Sequence, residues 1–172
     1  MDAKDLLLEI LERIRRLTQR TLDGLTLDDI HRQPSPDTNS IAWLIWHLTR
    51  VQDTSLSGIM GVQQDWVTQG WHARFDLPPD PKQDGFGDTP EQVAAFRAPS
   101  LQVLLDYHDH ITARSKTYVS GLVPEDFDRE LDEPQWQPLP TVGVRLVSVI
   151  SDNLQHAGQA AYLRGLFQGK WR

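Results

Sequence analysis

Between Ile41 and about Met60 apolar residues stand so close together that a helix formed there has to be buried on most of its surface. Trp43, Leu44, His47, Val51 and Thr54 fall near one stripe, and Ile45, Leu48, Leu56 and Ile59 widen it. Asn39 or Ser40 supplies the cap that starts such a helix. A segment of this kind needs partners on several sides, and the rest of the chain provides them. From Asp2 to about Leu22, Leu6, Leu7, Ile10, Leu11, Ile14 and Leu17 recur at helical spacing, with charged residues on the other faces and Gly24 at the end. A third periodic stretch begins near Pro99, where Leu101, Leu104, Leu105, His108, Ile111, Thr112, Ser115, Val119 and Leu122 trace one face. The fourth runs from Val142 to about Phe167, capped by Thr141 and closed by Gly169. No alternating strand pattern and no tandem repeat occurs.

Four helical segments and no strands predict an all-α fold, a four-helix bundle with long crossover connections. The 172 residues suit a single domain over 1–172. The connections are distinctive. Leu25 to Ser40 contains Pro34 and Pro36, with a short helical turn expected at Leu27 to His31, and Gly121 to Pro140 holds four prolines and Trp136. Gly61 to Pro99 loses helical period and is rich in Pro, Gly and Asp, yet it carries Trp66, Trp71 and Phe75. Three large aromatics argue that the 61–99 insert folds back on the bundle as a lid or wall over its mouth, with His72 and Arg74 as its polar candidates. Asp53, off the apolar stripe of its helix, reads as a surface charge or a bond to a neighbouring helix.

A net charge of −7 with both signs interspersed argues against a nucleic-acid partner. No apolar run approaches the ~20 residues that span a bilayer, and the charged, amphipathic start is no secretory signal. The expectation is a cytoplasmic protein without a membrane partner. Cysteine is absent, which removes disulfides, thiolate-ligated zinc and a cysteine nucleophile. Any thiol chemistry has to use a thiol that arrives with a small molecule.

Asp152 and His156 stand four residues apart in the last helix, so both side chains lie on one face and can reach one point. Such a pair is either an ion pair or two thirds of a metal site. His47, on the buried stripe of the second helix, is either a hydrogen-bonded core residue or the third ligand. Two imidazoles and one carboxylate leave a coordination position for water or substrate, the pattern of a catalytic zinc site that also suits nickel or ferrous iron. Gln155 and Gln159 stand where they could orient these ligands. Arg164, two turns beyond His156, could pair with a substrate carboxylate, bridge to another helix or cap a helix end. Ala157, Gly158, Ala160 and Ala161 offer close helix packing.

The runs NSIAWLIWHL and DNLQHAGQAAYLRGL resemble the second- and fourth-helix signatures of the DinB-like superfamily, which includes the mycothiol-dependent maleylpyruvate isomerase type. The stretch GW-x-x-RF at Gly70 to Phe75 is similar to members of that group. The resemblance implies a four-helix bundle, often a homodimer, with a divalent metal held by one His of the second helix and two residues of the fourth, here His47, Asp152 and His156. It departs at Asp152, where many members carry His or Glu. The function implied is a metal-dependent enzyme acting on a small-molecule substrate, a thiol-cofactor-dependent S-transferase or isomerase with zinc or nickel and a low-molecular-weight thiol. The alternatives are a metal-dependent hydrolase and a non-catalytic bundle that binds a small molecule.

Overall fold

The computed structural model describes residues 1–169, and among them no strand is present; only an isolated bridge joins Glu130 to Thr141. Four long helices form an all-α bundle: α1 (Ala3–Leu22), α3 (Ile41–Met60), α7 (Leu101–Ser120) and α8 (Val142–Gln168). Short helices α2 (Leu27–His31), α4 (Asp65–Thr68), α5 (Trp71–Arg74) and α6 (Pro90–Ala95) and a 3-10 turn (Pro124–Asp128) lie in the connections. Caps set the boundaries. Asp2 and Asp5 close a capping box on α1, and Ser40, rather than Asn39, accepts from Trp43 N–H at the start of α3. Ser100 and Thr141 do the same for α7 and α8. Gly61 and Gly169, both left-handed, end α3 and α8.

Around the bundle the order is α1, α7, α3, α8, with α1 opposite α3 and α7 opposite α8. The side-chain pairs give the directions. Glu12 meets Lys116 and Gln19 meets Asp109, so α1 and α7 are antiparallel. Thr49 meets His108 and Gln52 meets Ser115, so α3 and α7 are parallel. Gln52 meets Asn153 while Leu44 and Leu163 share a groove, so α3 and α8 are antiparallel. The order along the chain is therefore up, down, down, up. Consecutive parallel helices α3 and α7 cannot be joined by a tight turn. The chain must first return the length of a 20-residue helix, about 30 Å.

The segment 61–99 is that return path. Trp66, Trp71 and Phe75 are buried in the common core, and Trp66 meets Trp46, Phe75 and Tyr107 with ring centroids 6.2, 5.6 and 5.6 Å away. Asp53, expected at the surface or in a bond to a neighbour, is fully buried and bonds to two other elements. Its carboxylate accepts from the backbone N–H of Asp65 (3.0 Å) and Trp66 (2.8 Å), capping α4, which has no side-chain cap of its own. It also accepts from Tyr107 Oη (2.9 Å) and Arg114 (3.0 Å). Arg50, equally buried, lies 3.6 Å from Asp53 with its guanidinium 4.5 Å above the ring of Trp66.

A second polar row crosses the core near the middle of α3 and α8. Asn153 donates to Gln52 (2.6 Å), Gln52 to Ser115 (2.7 Å), and Ser115 to the carbonyl of Ile111 (2.8 Å). Buried amides in an apolar seam are costly unless each finds its partner, so this row favours one register of α8 against α3. Asn153 is the neighbour of Asp152, and the register it selects is the one that brings Asp152 and His156 opposite His47.

Candidate metal centre

His47 is almost fully buried, 4 % exposed, in the middle of α3. One ring face stacks on Trp43, centroids 4.6 Å apart and planes 12° apart. The ring of His156 meets it edge-on at 4.8 Å. Asp152 and His156 are half-buried, so the cluster has a closed wall on the α3 side and an open side along α8. Each of the three offers a donor atom within 4.8 Å of the other two. Nitrogen and oxygen donors bound at about 2.0–2.2 Å around a tetrahedral ion lie ~3.5 Å apart, so any side of the triangle near 4.8 Å has to close by about an ångström to hold one ion.

The hydrogen bonds decide which nitrogens face inward. His47 donates from Nδ1 to the carbonyl of Asp84, and His156 donates from Nδ1 to Gln159 Oε1 at 2.8 Å. In both rings Nε2 is then the nitrogen with a free lone pair, the arrangement that outer partners impose on metal-ligating histidines. Asp152 Oδ1 lies 3.4 Å from His156 Nε2. Its other oxygen, Oδ2, is buried and has no hydrogen-bond partner among the described residues. A buried carboxylate oxygen left without a donor is costly, and a cation is the simplest partner for it. The donor set and its orientation fit a divalent metal.

Burial pushes the pKa of His47 below the ordinary imidazole value, with the Asp84 carbonyl opposing that shift in part. The Asp152 carboxylate raises that of His156, against partial burial. Burial thus favours the neutral form of His47, whereas Asp152 favours the protonated form of His156, with which a cation would compete.

Of the residues whose roles the sequence left open, Gln159 orients the ring of His156. Gln155 turns back to Ser151 and takes no part. Arg164 is also outside the cluster. It donates to the carbonyls of Thr21 and Asp23, so of the roles open to it the cap on a helix end is the one it fills. His72 lies beside the carbonyl of Leu77, Arg74 stacks on Trp71, and neither joins the triad. His108 is wholly buried against Thr49, 3.2 Å away. The sequence reading missed Asp84, whose contribution is a backbone carbonyl, and Gly85, which packs against Trp43 and His47. An open groove of about 710 Å³ begins beside Gln159 and is lined also by Asp37, Asn39, Leu44, Tyr162 and Leu163.

A family model for mycothiol-S-transferase matches residues 6–169. The chain belongs to this DinB-like family. The chain is also similar to a conserved protein of Enterococcus faecalis known from a crystal structure, at 34% identity and a TM-score of 0.89, with 99% of each chain covered. No curated protein matches the chain. No helix of the described residues is long and apolar enough to cross a membrane.

Proposed function

We propose that this protein is a divalent-metal-dependent S-transferase that uses a low-molecular-weight thiol, with His47, Asp152 and His156 as the metal ligands. The observation that carries the reading is the convergence of two imidazoles, both with Nδ1 engaged, on a carboxylate whose Oδ2 is buried without a donor. A divalent cation bound there supplies Lewis acidity that lowers the pKa of a thiol toward neutrality. Zinc and nickel match the donor set best, and iron is the third choice.

The chain's own residues do the rest. Trp43 and the apolar α3 wall keep water from the buried face of His47, which raises the weight of every charge in the site. Gln159 holds His156 on one side and lines the groove on the other, so the groove is the natural seat for the thiol cofactor or its acceptor. Substrate approaches from the open α8 side. The reading places the protein in the cytoplasm, where low-molecular-weight thiols are kept reduced.

The same reading includes a homodimer. Along its outer side α8 exposes Val144, Val147, Leu154, Tyr162 and Leu166, with Ser151 and Gly158 at the intervening turns. These positions are spaced three and four residues apart, a seam that suits a second copy of the same helix. The direct experiment is elemental analysis of untagged protein, followed by a transfer screen with several thiols and electrophilic acceptors in the presence of zinc or nickel. Transfer that depends on both metal and thiol supports the reading. Metal-dependent hydrolysis without any thiol requirement would replace it with the hydrolase, and a protein that takes up no metal would leave a binding bundle.

A further inference from the structure

The return segment between α3 and α7 contains a strap, residues 81–88, that crosses α3 at the level of His47. Five hydrogen bonds from four side chains hold it. Arg50 Nε donates to the carbonyl of Gln83 (3.1 Å) and its Nη2 to the carbonyl of Pro81 (3.3 Å). Gln64 donates to the same Pro81 carbonyl at 3.0 Å. The Asp84 carbonyl receives His47 Nδ1–H, and Asp88 receives Trp43 Nε1–H at 3.1 Å. Between the last two lies Gly85, at φ +91°, in the left-handed region. A Cβ there would stand 2.8 Å from Trp43 Cζ2, 3.0 Å from His47 Nδ1 and 3.0 Å from Trp46 Cζ3. Only glycine lets the backbone come this close to the three rings.

Arg50 is one turn from His47 on the same helix, fully buried, and bound to groups on three elements. Beyond the strap it contacts Gln64 Oε1 (2.9 Å) and Tyr107 Oη (3.3 Å). A guanidinium is suited to this because its planar fork of donors cannot rotate independently. Two of its nitrogens address the carbonyls of residues 81 and 83, and the next carbonyl that turns toward α3 is the one that receives His47.

We propose that the 81–88 strap is a tautomer clamp for the metal centre: Arg50 and Gly85 place the Asp84 carbonyl so that His47 carries its proton on Nδ1 and presents Nε2 to the ion. Arg50 is thus a positioning residue acting through the strap, and Gly85 is its seat. The inference rests on His47 being a metal ligand, but the tautomer it assigns is a property of the metal-free protein. Outer partners of ligating histidines change metal affinity by about 10- to 100-fold when lost, and the clamp carries an effect of that size.

The test uses the full-length untagged protein and zinc alone as the probe. Two readouts are taken on the parent and on Gly85→Ala, Arg50→Lys and His47→Ala: zinc affinity by competition with a chelator, and ring-nitrogen shifts of the metal-free histidines by long-range proton–nitrogen NMR. In the parent, His47 is in the Nδ1–H form. In Gly85→Ala the strap lifts, the His47 tautomers mix, and zinc binds about 10- to 100-fold more weakly, with helix content unchanged. Arg50→Lys keeps the charge beside Asp53 but cannot span two carbonyls, and it shifts both readouts the same way. A purely structural Arg50 would lower the melting temperature and leave the tautomer alone, which overturns its assignment. An Nε2–H His47 in the parent, or a Gly85→Ala protein that binds zinc as the parent does, overturns the clamp. Should His47→Ala bind zinc as tightly as the parent, the metal reading itself fails, and the clamp as a device of the metal centre falls with it, whatever the tautomer.

Discussion

Replacing Asp53 by Asn tests the account of how the return segment is held. The side chain is fully buried, and its two oxygens receive five donors: the backbone N–H of Asp65 and Trp66, Tyr107 Oη, Arg114 Nη1 and Ser57 Oγ, the last at 3.3 Å. An amide conserves the volume but turns one acceptor into a donor. Whichever way it flips, either Trp66 N–H and Tyr107 Oη or Asp65 N–H, Arg114 and Ser57 face an NH₂ group. The buried guanidinium of Arg50 loses its counter-charge at the same time, and Arg114 is left with Asp65 alone, 3.1 Å away. Removing one partner from a buried, hydrogen-bonded ion cluster costs about 3–5 kcal/mol. That is a large share of the ~5–15 kcal/mol that holds an ordinary domain together. Urea unfolding followed by circular dichroism should show the loss as a lower midpoint. Hydrogen exchange should place it, with the amides of residues 65–75 losing far more protection than those of α1. A cost under ~1 kcal/mol, or exchange that rises equally everywhere, would refute the idea that Asp53 is the anchor of this segment.

The remaining expectations concern metal, pH and assembly. Ala at His47, Asp152 or His156 should remove most bound zinc in elemental analysis while circular dichroism stays helical, and Asp152→Glu should retain metal. Zinc occupancy should fall as pH drops through the His156 pKa, which Asp152 holds above the ordinary 6.5, whereas depressed His47 remains neutral to lower pH; occupancy unchanged well below pH 6 would contradict this. His108 is fully buried with its pKa pushed down to about 4, so between 6.5 and about 4 the unfolded chain accepts a proton that the folded chain refuses. Its contribution is present above 6.5 and lost as pH falls through that window, ~3 kcal/mol in all at about 1.4 kcal/mol per unit. Urea midpoints at pH 7 and 4.5 should therefore converge in His108→Gln relative to the parent. On the outer face of α8, Leu154→Asp or Tyr162→Glu should give a monomer by sedimentation velocity where the parent is a dimer, without loss of helix.

Much of this protein is legible in the order of its residues because helices declare themselves locally. The four long helices follow from side chains three and four apart and from Ser, Thr, Asp and Gly at their ends, interactions that span a few residues of chain. Asp152 and His156 share a face for the same reason. His47 was visible as a histidine on a buried stripe, though spacing alone could not say what it faces. That was decided by the tertiary structure, through the Gln52–Asn153 pair that sets α3 against α8. Likewise, nothing local distinguishes an up-down-down-up bundle from other orders, so the reason for the long 61–99 segment appears only when α3 and α7 prove parallel. For Asp53 the sequence leaves a surface charge and a bond to a neighbouring helix both open, because a charge off the apolar stripe looks solvated until a distant segment is known to close over it; the structure selects the bond. The orientation of His47 was beyond any sequence pattern. Its partner is a main-chain carbonyl, which every residue possesses, and its placement depends on where the chain passes rather than on which side chain it carries.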